Sequence, residues 1–309
     1  MIQGVSVIVP TYNGERKIPI ILEALSNQTF KDFEIVIAID GSTDNTEDQV
    51  RKWESKFANL RIAVQTNKGR AAIRNFGAME AGGDLLIFYD DDMIPDKTSV
   101  ERHFFFHTKN GSNVILGGNA AELSKDGLTD IQQYRAWLTK KWISKFEEGV
   151  NLIPSSDIFL TAANFSIKKK LFNELHGFDE RLNDIEDFEF AFRASKNNIQ
   201  LYFDKLNVAI HNDLITAKSY LKRTKQYTNA QHKLSVLKPE VLSVTRKFPG
   251  FKRLIYWMFS FSFWIRIIDS NALIFFMPIK MRYVLYKFVL YSQGVVFCKC
   301  EIEDGTNKR

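Results

Sequence analysis

Two groups of carboxylates stand out by type and spacing. Asp90-Asp91-Asp92 closes the apolar run Leu85–Tyr89, and Glu186-Asp187 opens an apolar-periodic stretch containing Phe188, Ala191 and Phe192. Three adjacent acids at the tip of a buried strand repel one another, and each costs stability if even partly buried. They make sense together around a cation. Oxygen-only donors select a hard divalent ion, and Mg2+ is commonly held by one or two carboxylates plus substrate phosphates. The competing reading is a solvated acidic turn that caps a helix entered at Pro95. The second pair falls in the first turn of a predicted helix, where the N-terminal dipole favours a charged carboxylate. Such a group can take a proton from a hydroxyl. Simple capping by acids is the alternative there.

The elements that would carry these groups alternate. The spacing predicts strands over Val5–Pro10, Phe33–Ile39, Leu60–Gln65 and Leu85–Tyr89. It predicts helices over Ile18–Gln28, from Thr43 or Asp44 to about Phe57, and over Arg70–Ala81. Strand–helix alternation with near-continuous apolar strands predicts an α/β fold, a mostly parallel twisted sheet with helices on both faces. Ligands of such sheets bind outside the carboxyl ends of the strands. The residues there are Thr11-Tyr12-Asn13, Asp40-Gly41-Ser42, Asn67-Lys68-Gly69 and the three acids. This rim suits a nucleotide, with base and ribose against Thr11, Tyr12 and Asp40 and the phosphates on a metal. Neither G-x-G-x-x-G nor G-x-x-x-x-G-K occurs, which argues against a dinucleotide enzyme and a P-loop NTPase.

Five ordered blocks over roughly residues 3–212 carry a resemblance. They are Val5 to Asn13 (VSVIVPTYN), Asp40 to Thr46 (DGSTDNT), Asn67-Lys68-Gly69 with Arg74-Asn75, Asp90-Asp91-Asp92, and Gly177-Phe178-Asp179-Glu180 with Glu186 to Arg193 (EDFEFAFR). Together they resemble the family 2 glycosyltransferases of the GT-A fold. The resemblance implies metal-dependent, inverting transfer of a sugar from a nucleotide-sugar to an acceptor, with Mn2+ or Mg2+ as cofactor. It implies that Pro10, Thr11, Tyr12, Asn13, Asp40, Asn67, Gly69 and Arg74 line the donor site. By the same likeness Asp90 and Asp92 are the metal-binding acids of a D-x-D motif, Asp91 lies near the ribose, and Asp187 is the base, with Glu186 beside it. Asn164, Gly177 and Arg193 fall on the acceptor side, Arg193 also reading as a helix-surface charge. Two positions depart from the pattern: Ile39 stands where many relatives have a second acid, and His176 replaces a glycine.

His211 follows the apolar run Val208-Ala209-Ile210 at a predicted strand end. An imidazole there can complete a Mn2+ site or donate to a phosphate oxygen; a structural histidine is the competing reading. His103, His107, His176 and His232 read as surface or packing residues. Of the three aromatics on the predicted helix Ile131–Phe146, at least two of Tyr134, Trp137 and Trp142 read as core. Phe159–Ile167 reads as a strand lining the acceptor side.

Charge divides the chain of 309 residues. Residues 1–217 carry 25 Lys and Arg against 31 Asp and Glu, whereas residues 218–309 carry 17 against 5. The division predicts a catalytic domain over 1–217, with a nucleotide half (1–110) and an acceptor half (111–217), followed by a C-terminal helical extension, 218–309, basic and aromatic. Leu254–Ile265 and Ser270–Ile279 are each too short to span a bilayer. Trp257, Phe261 and Trp264, spaced as on one helix face among Lys and Arg, suit a helix lying on anionic lipid; a helical subdomain or homodimer surface is the alternative. No nucleic-acid-binding module is visible. Met1 leads directly into a strand pattern, which predicts no signal peptide. Cys298 and Cys300 read as thiols of a reducing cytoplasm.

The reading is a glycosyltransferase acting on a saccharide or polyprenyl-linked acceptor, cytoplasmic and peripheral on the inner face of the cell membrane. The rivals are a sugar-phosphate nucleotidyltransferase and a non-catalytic membrane-peripheral scaffold.

Overall fold

The computed structural model describes residues 2–124, 127–242 and 250–298. Four strands form the first half of one sheet: β1 (Val5–Thr11), β2 (Glu34–Asp40), β3 (Leu60–Gln65) and β4 (Leu85–Tyr89). They pair in parallel in the order β3-β2-β1-β4. The connecting helices are α1 (Ile18–Ser26), α2 (Thr46–Arg51) and α3 (Arg70–Glu80). Successive strand residues enter opposite cores. Val7, Val9, Ile35, Ile37, Ile87 and Tyr89 pack with Ile18, Ile21, Leu22 and Leu25 of α1 on one face. Ile8, Val36, Leu86 and Phe88 pack with Ala71 and Ala78 of α3 on the other. This burial on both faces is why the strands read as unbroken apolar runs.

The second half departs from parallel pairing. The three-residue strand β5 (Met93–Pro95) follows the acids directly, and α4 (Ser99–Lys109) follows it. Then come β6 (Val114–Glu122), α5 (Asp130–Ile143), β7 (Val150–Leu152), β8 (Asn164–Lys168), α6 (Lys169–Glu174), α7 (Glu186–Lys196) and β9 (Gln200–His211). The full order is β3-β2-β1-β4-β8-β6-β9-β5, with β7 on β9. β8 runs antiparallel to both β4 and β6, while β6 and β9 are parallel. Phe88 stacks on Phe165 of β8 at 4.7 Å, and Phe172, Phe178 and Phe190 close the aromatic core around them.

Several boundaries differ from the sequence reading. α2 stops at Arg51, and the chain continues in turns to Lys56. β8 starts only at Asn164. Of the three helix aromatics only Tyr134 is core; Trp137 and Trp142 are 42% and 39% exposed.

The chain forms two compact units, residues 1–123 with 139–213, and residues 124–138 with 214–309. The start of α5 therefore belongs with the C-terminal unit, a division local sequence patterning does not reveal. That unit contains α8 (Ala217–Leu237), α9 (Gly250–Met258), α10 (Phe263–Asp269), α11 (Ile279–Tyr291), a 3-10 turn at Ala272–Phe275 and a π turn at Ser292–Val296. Its core gathers Ile131, Tyr134, Ile265, Ile268, Tyr283, Tyr286 and Val289. Buried Asp130 accepts two hydrogen bonds from Arg282 (2.7 and 3.0 Å) and one from Tyr286 (2.5 Å). The expected single face of Trp257, Phe261 and Trp264 does not form, because the helix ends at Met258 and restarts at Phe263. No described helix is long and apolar enough to cross a membrane. Cys300 lies outside the described residues.

Candidate active site

β1 and β4 are parallel neighbours, so Thr11 and the three acids emerge at the same end of the sheet. The Thr11 hydroxyl donates to Asp91 Oδ2 at 2.7 Å. Lys17, at the entry of α1, places its ammonium 3.0 Å from Asp91 Oδ1 and 3.3 Å from Asp92 Oδ2. Burial pushes Asp91 above the ordinary carboxylate range, against the pull of Lys17; its two short contacts favour the carboxylate form all the same. For Asp92, burial acts in the same direction, but His211 and Lys17 outweigh it and hold this acid well below the usual range. His211 ends β9 opposite Met93 of β5, with Nε2 3.1 Å from Asp92 Oδ1 and Nδ1 3.6 Å from Glu122.

The second acidic pair reaches the same place through a buried arginine. Arg74 of α3 is 4% exposed. One terminal nitrogen donates to Asp90 Oδ1 and the other to Glu186 Oε1 at 2.6 Å. Burial works against the charge of this guanidinium, but Asp90 and Glu186 outweigh it and raise its affinity for protons. Asp187 lies beside them. Its carboxylate accepts from its neighbour's amide, Phe188 N, at 2.8 Å and from Ala162 N at 3.3 Å. Desolvation first, and then the Glu186 charge, raise it well above the ordinary range, against the pull of Arg74. A carboxyl group raised in this way is a better proton acceptor when ionised. Ile185, just before the pair, has φ 66° and is buried. A β-branched residue in the left-handed region is strained by about 1–3 kcal/mol, and such strain gathers where a fold over-determines a functional segment.

The opposite end of the rim is built from loops tied to Asp40. Asp40 Oδ1 accepts from Lys68 N (2.9 Å) and Gln65 Nε2 (2.8 Å), and Oδ2 accepts from Gly69 N (2.9 Å). It thus shapes the Asn67-Lys68-Gly69 loop. Gly41, at φ 67°, passes so close to that loop that a Cβ would lie 2.6 Å from Asn67 N. Asn67 itself is exposed. Pro10 is buried within β1, while Tyr12 stands 50% exposed beyond it. Asn13, at φ 50°, accepts from Thr43 N at 2.8 Å. Ile39 packs into the core.

The three residues expected on the acceptor side all take part in structural bonds. Asn164 is fully buried; its carbonyl oxygen meets His103 Nε2 at 2.9 Å and its amide donates to Asn207 O at 3.0 Å. Gly177, at φ 62°, turns the chain against Asn75, which accepts from Phe178 N at 2.8 Å. Arg193 clamps that turn, donating to the Leu175 and Gly177 carbonyls and pairing with Glu189. It is thus more than a plain surface charge. Lys17 is the residue that sequence reasoning missed. It lies 74 positions from Asp91, and no local pattern marks it.

The donor set suits a divalent ion in one respect. Asp92 and His211 offer an oxygen and a nitrogen side by side, and a cation, the Lys17 ammonium, already sits against Asp91 and Asp92. Among the described residues no three acids or imidazoles converge tightly enough to cage a metal by themselves.

A parallel sheet with two acidic groups meeting at one rim and antiparallel strands beyond is the GT-A arrangement of glycosyltransferases. The description of glycosyl transferase family 2 matches residues 6–176, and the chain belongs to that family. An uncharacterized glycosyltransferase of Haemophilus influenzae is 30% identical over 190 residues, 61% of this chain and 60% of that protein. The poly(ribitol-phosphate) β-N-acetylglucosaminyltransferase TarS of Staphylococcus aureus is 36% identical over 115 residues, 36% of this chain and 20% of that protein. The chain thus spans less than two thirds of either relative. Among solved structures, TarS 1–349 with UDP-GlcNAc aligns with a TM-score of 0.54 and 19% identity, covering 94% of this chain and 90% of that one. The mannosyltransferase PcManGT of Pyrobaculum calidifontis, with GDP-Man and Mn2+, aligns at 0.59 and 15%, covering 93% and 85%. Identities this low show the shared fold alone.

Proposed function

We propose that this glycosyltransferase moves a sugar from a nucleoside-diphosphate sugar to a saccharide or polyprenyl-linked acceptor by a single, inverting displacement. The observation that carries the reading is the Arg74 guanidinium, which joins the acids after β4 to the acids opening α7 in one cleft. Asp92, Asp90 and His211 are the residues that would hold Mn2+ or Mg2+. The ion would neutralise the departing diphosphate as a Lewis acid. Thr11 orients Asp91 at the ribose side, and Asp40 holds the loop that frames the nucleoside. Asp187 accepts the proton of the attacking hydroxyl. Its two backbone donors fix the carboxylate, and its raised affinity for protons suits that task.

UDP-sugars are the first donors to test, since TarS is a β-N-acetylglucosaminyltransferase crystallised with UDP-GlcNAc. Screening nucleotide-sugars for Mn2+-dependent hydrolysis and thermal stabilisation tests the reading. One donor should raise the melting temperature only with metal. No response to any donor would overturn it.

The same proposal places the C-terminal unit on anionic lipid at the inner face of the cell membrane. On α9, Phe251, Leu254, Trp257 and Met258 fall on one side at 100° per residue, and all are exposed, Phe251 by 75%. Phe275 and Phe276 are 84% and 81% exposed. With 17 basic against 5 acidic residues over 218–309, this apolar surface is complementary to an anionic bilayer. Full-length protein should float with phosphatidylglycerol-containing vesicles and not with neutral ones. Concentration-dependent dimerisation without flotation would contradict it.

A further inference from the structure

The Lys17 ammonium lies within hydrogen-bond distance of two of the three carboxylates that follow β4, and nothing in the donor reading uses it. Its chain enters at the start of α1, where Gly14 O accepts from Lys17 N and Ile18 N. The backbone is therefore anchored, while the long side chain spans to Asp91 and Asp92 and stays 44% exposed. Asp92 meets a positive or polar group on each side: Lys17 at Oδ2 and His211 at Oδ1. A second cation at Asp92 would sit against the ammonium. Like charges that close repel, and more strongly where protein replaces water.

Resting on the assignment of Asp92 as a metal ligand, we propose that Lys17 is an internal counter-ion, which a divalent metal must displace from Asp92 and which then turns to the diphosphate of the nucleotide-sugar. Without metal the ammonium thereby offsets one of the two charges of Asp91 and Asp92. An approaching Mg2+ or Mn2+ gains little from Asp92 until the ammonium has another anion to meet. The diphosphate is that anion, so metal and donor bind together rather than in turn. Lys17 is thus a binding residue that couples the two, and its flexible four-carbon stem and compact charge suit a group with two stations.

Mn2+ binding, followed by electron paramagnetic resonance without nucleotide and then with UDP, tests this. The wild type should bind Mn2+ weakly alone and strongly with UDP. Lys17→Met and Lys17→Gln should bind Mn2+ alone about fivefold more tightly or better, the size of one partly exposed ion pair, and should bind UDP more weakly at saturating Mn2+. Lys17→Arg, which keeps the charge, should stay near the wild type for Mn2+ alone. Unchanged Mn2+ affinity in both neutral variants, with native circular dichroism, would overturn the role of Lys17 while leaving the metal assignment standing. Failure of wild-type protein to bind Mn2+ even with UDP would remove the metal assignment itself, and this inference with it.

Discussion

Asp90 and Glu186 are bonded to opposite terminal nitrogens of the same buried guanidinium, that of Arg74. A buried arginine needs such partners, and breaking the set leaves charges uncompensated. The pairing has a structural consequence and a chemical one. It locks α3, the tip of β4 and the start of α7 together, and it holds the candidate metal acids and the candidate base at a fixed separation.

Arg74→Leu should therefore destabilise the fold by about 3–5 kcal/mol, because Asp90 and Glu186 would remain facing each other without a cation. Arg74→Lys keeps the charge but cannot reach both acids with planar geometry, so it should lose less. Urea unfolding measures both. Stability unchanged in the leucine variant would show that the guanidinium bridge is not formed.

Asp187→Asn should keep donor binding and lose about 10²–10⁴-fold in turnover, the usual share of a positioned general base. The pH dependence follows from the raised affinity of Asp187 for protons. The base works only when ionised, so wild-type turnover should fall with decreasing pH at values well above those of an ordinary carboxylate. A rate profile flat down to the ordinary carboxylate range would move the base to another residue, Glu186 first.

His103 and His107 form a buried network with Ser166 and Asn164, at 2.8–2.9 Å. Burial lowers them, to about 4 and about 3 respectively. A histidine whose folded-state value is depressed favours the fold above its unfolded value, about 6.5, and that stability is lost as pH falls towards the folded value. Each should contribute a slope of about 1.4 kcal/mol per pH unit between roughly pH 6 and 4. His107→Gln should unfold with a correspondingly shallower acid dependence. An unchanged slope would mean that His107 is charged or exposed in the native protein.

The nucleotide half was legible because its strands are buried on both faces and its acids lie at their ends. Apolar runs such as Leu85–Tyr89 end where the pattern breaks, and parallel order brings Thr11 and Asp91 together without further information. The second half of the sheet was harder. The bonds of the Asn164 amide to His103 and Asn207 are set by tertiary packing between β8, α4 and β9. Arg193 pairs with Glu189 one helical turn earlier, yet its hold on the Leu175–Gly177 turn depends on how the chain folds back. Lys17 was invisible for the same reason. The aromatic stripe of the C-terminal region failed because a continuous helical period says nothing about a break after Met258.

The most direct test is calorimetric titration of a nucleotide-sugar, with and without Mn2+, into wild type, Asp92→Ala and Asp187→Asn. A single reaction centre requires metal-dependent binding that Asp92→Ala abolishes and Asp187→Asn retains, with turnover lost in both. Metal-dependent binding unchanged in Asp92→Ala, or near-normal turnover in Asp187→Asn, would contradict it.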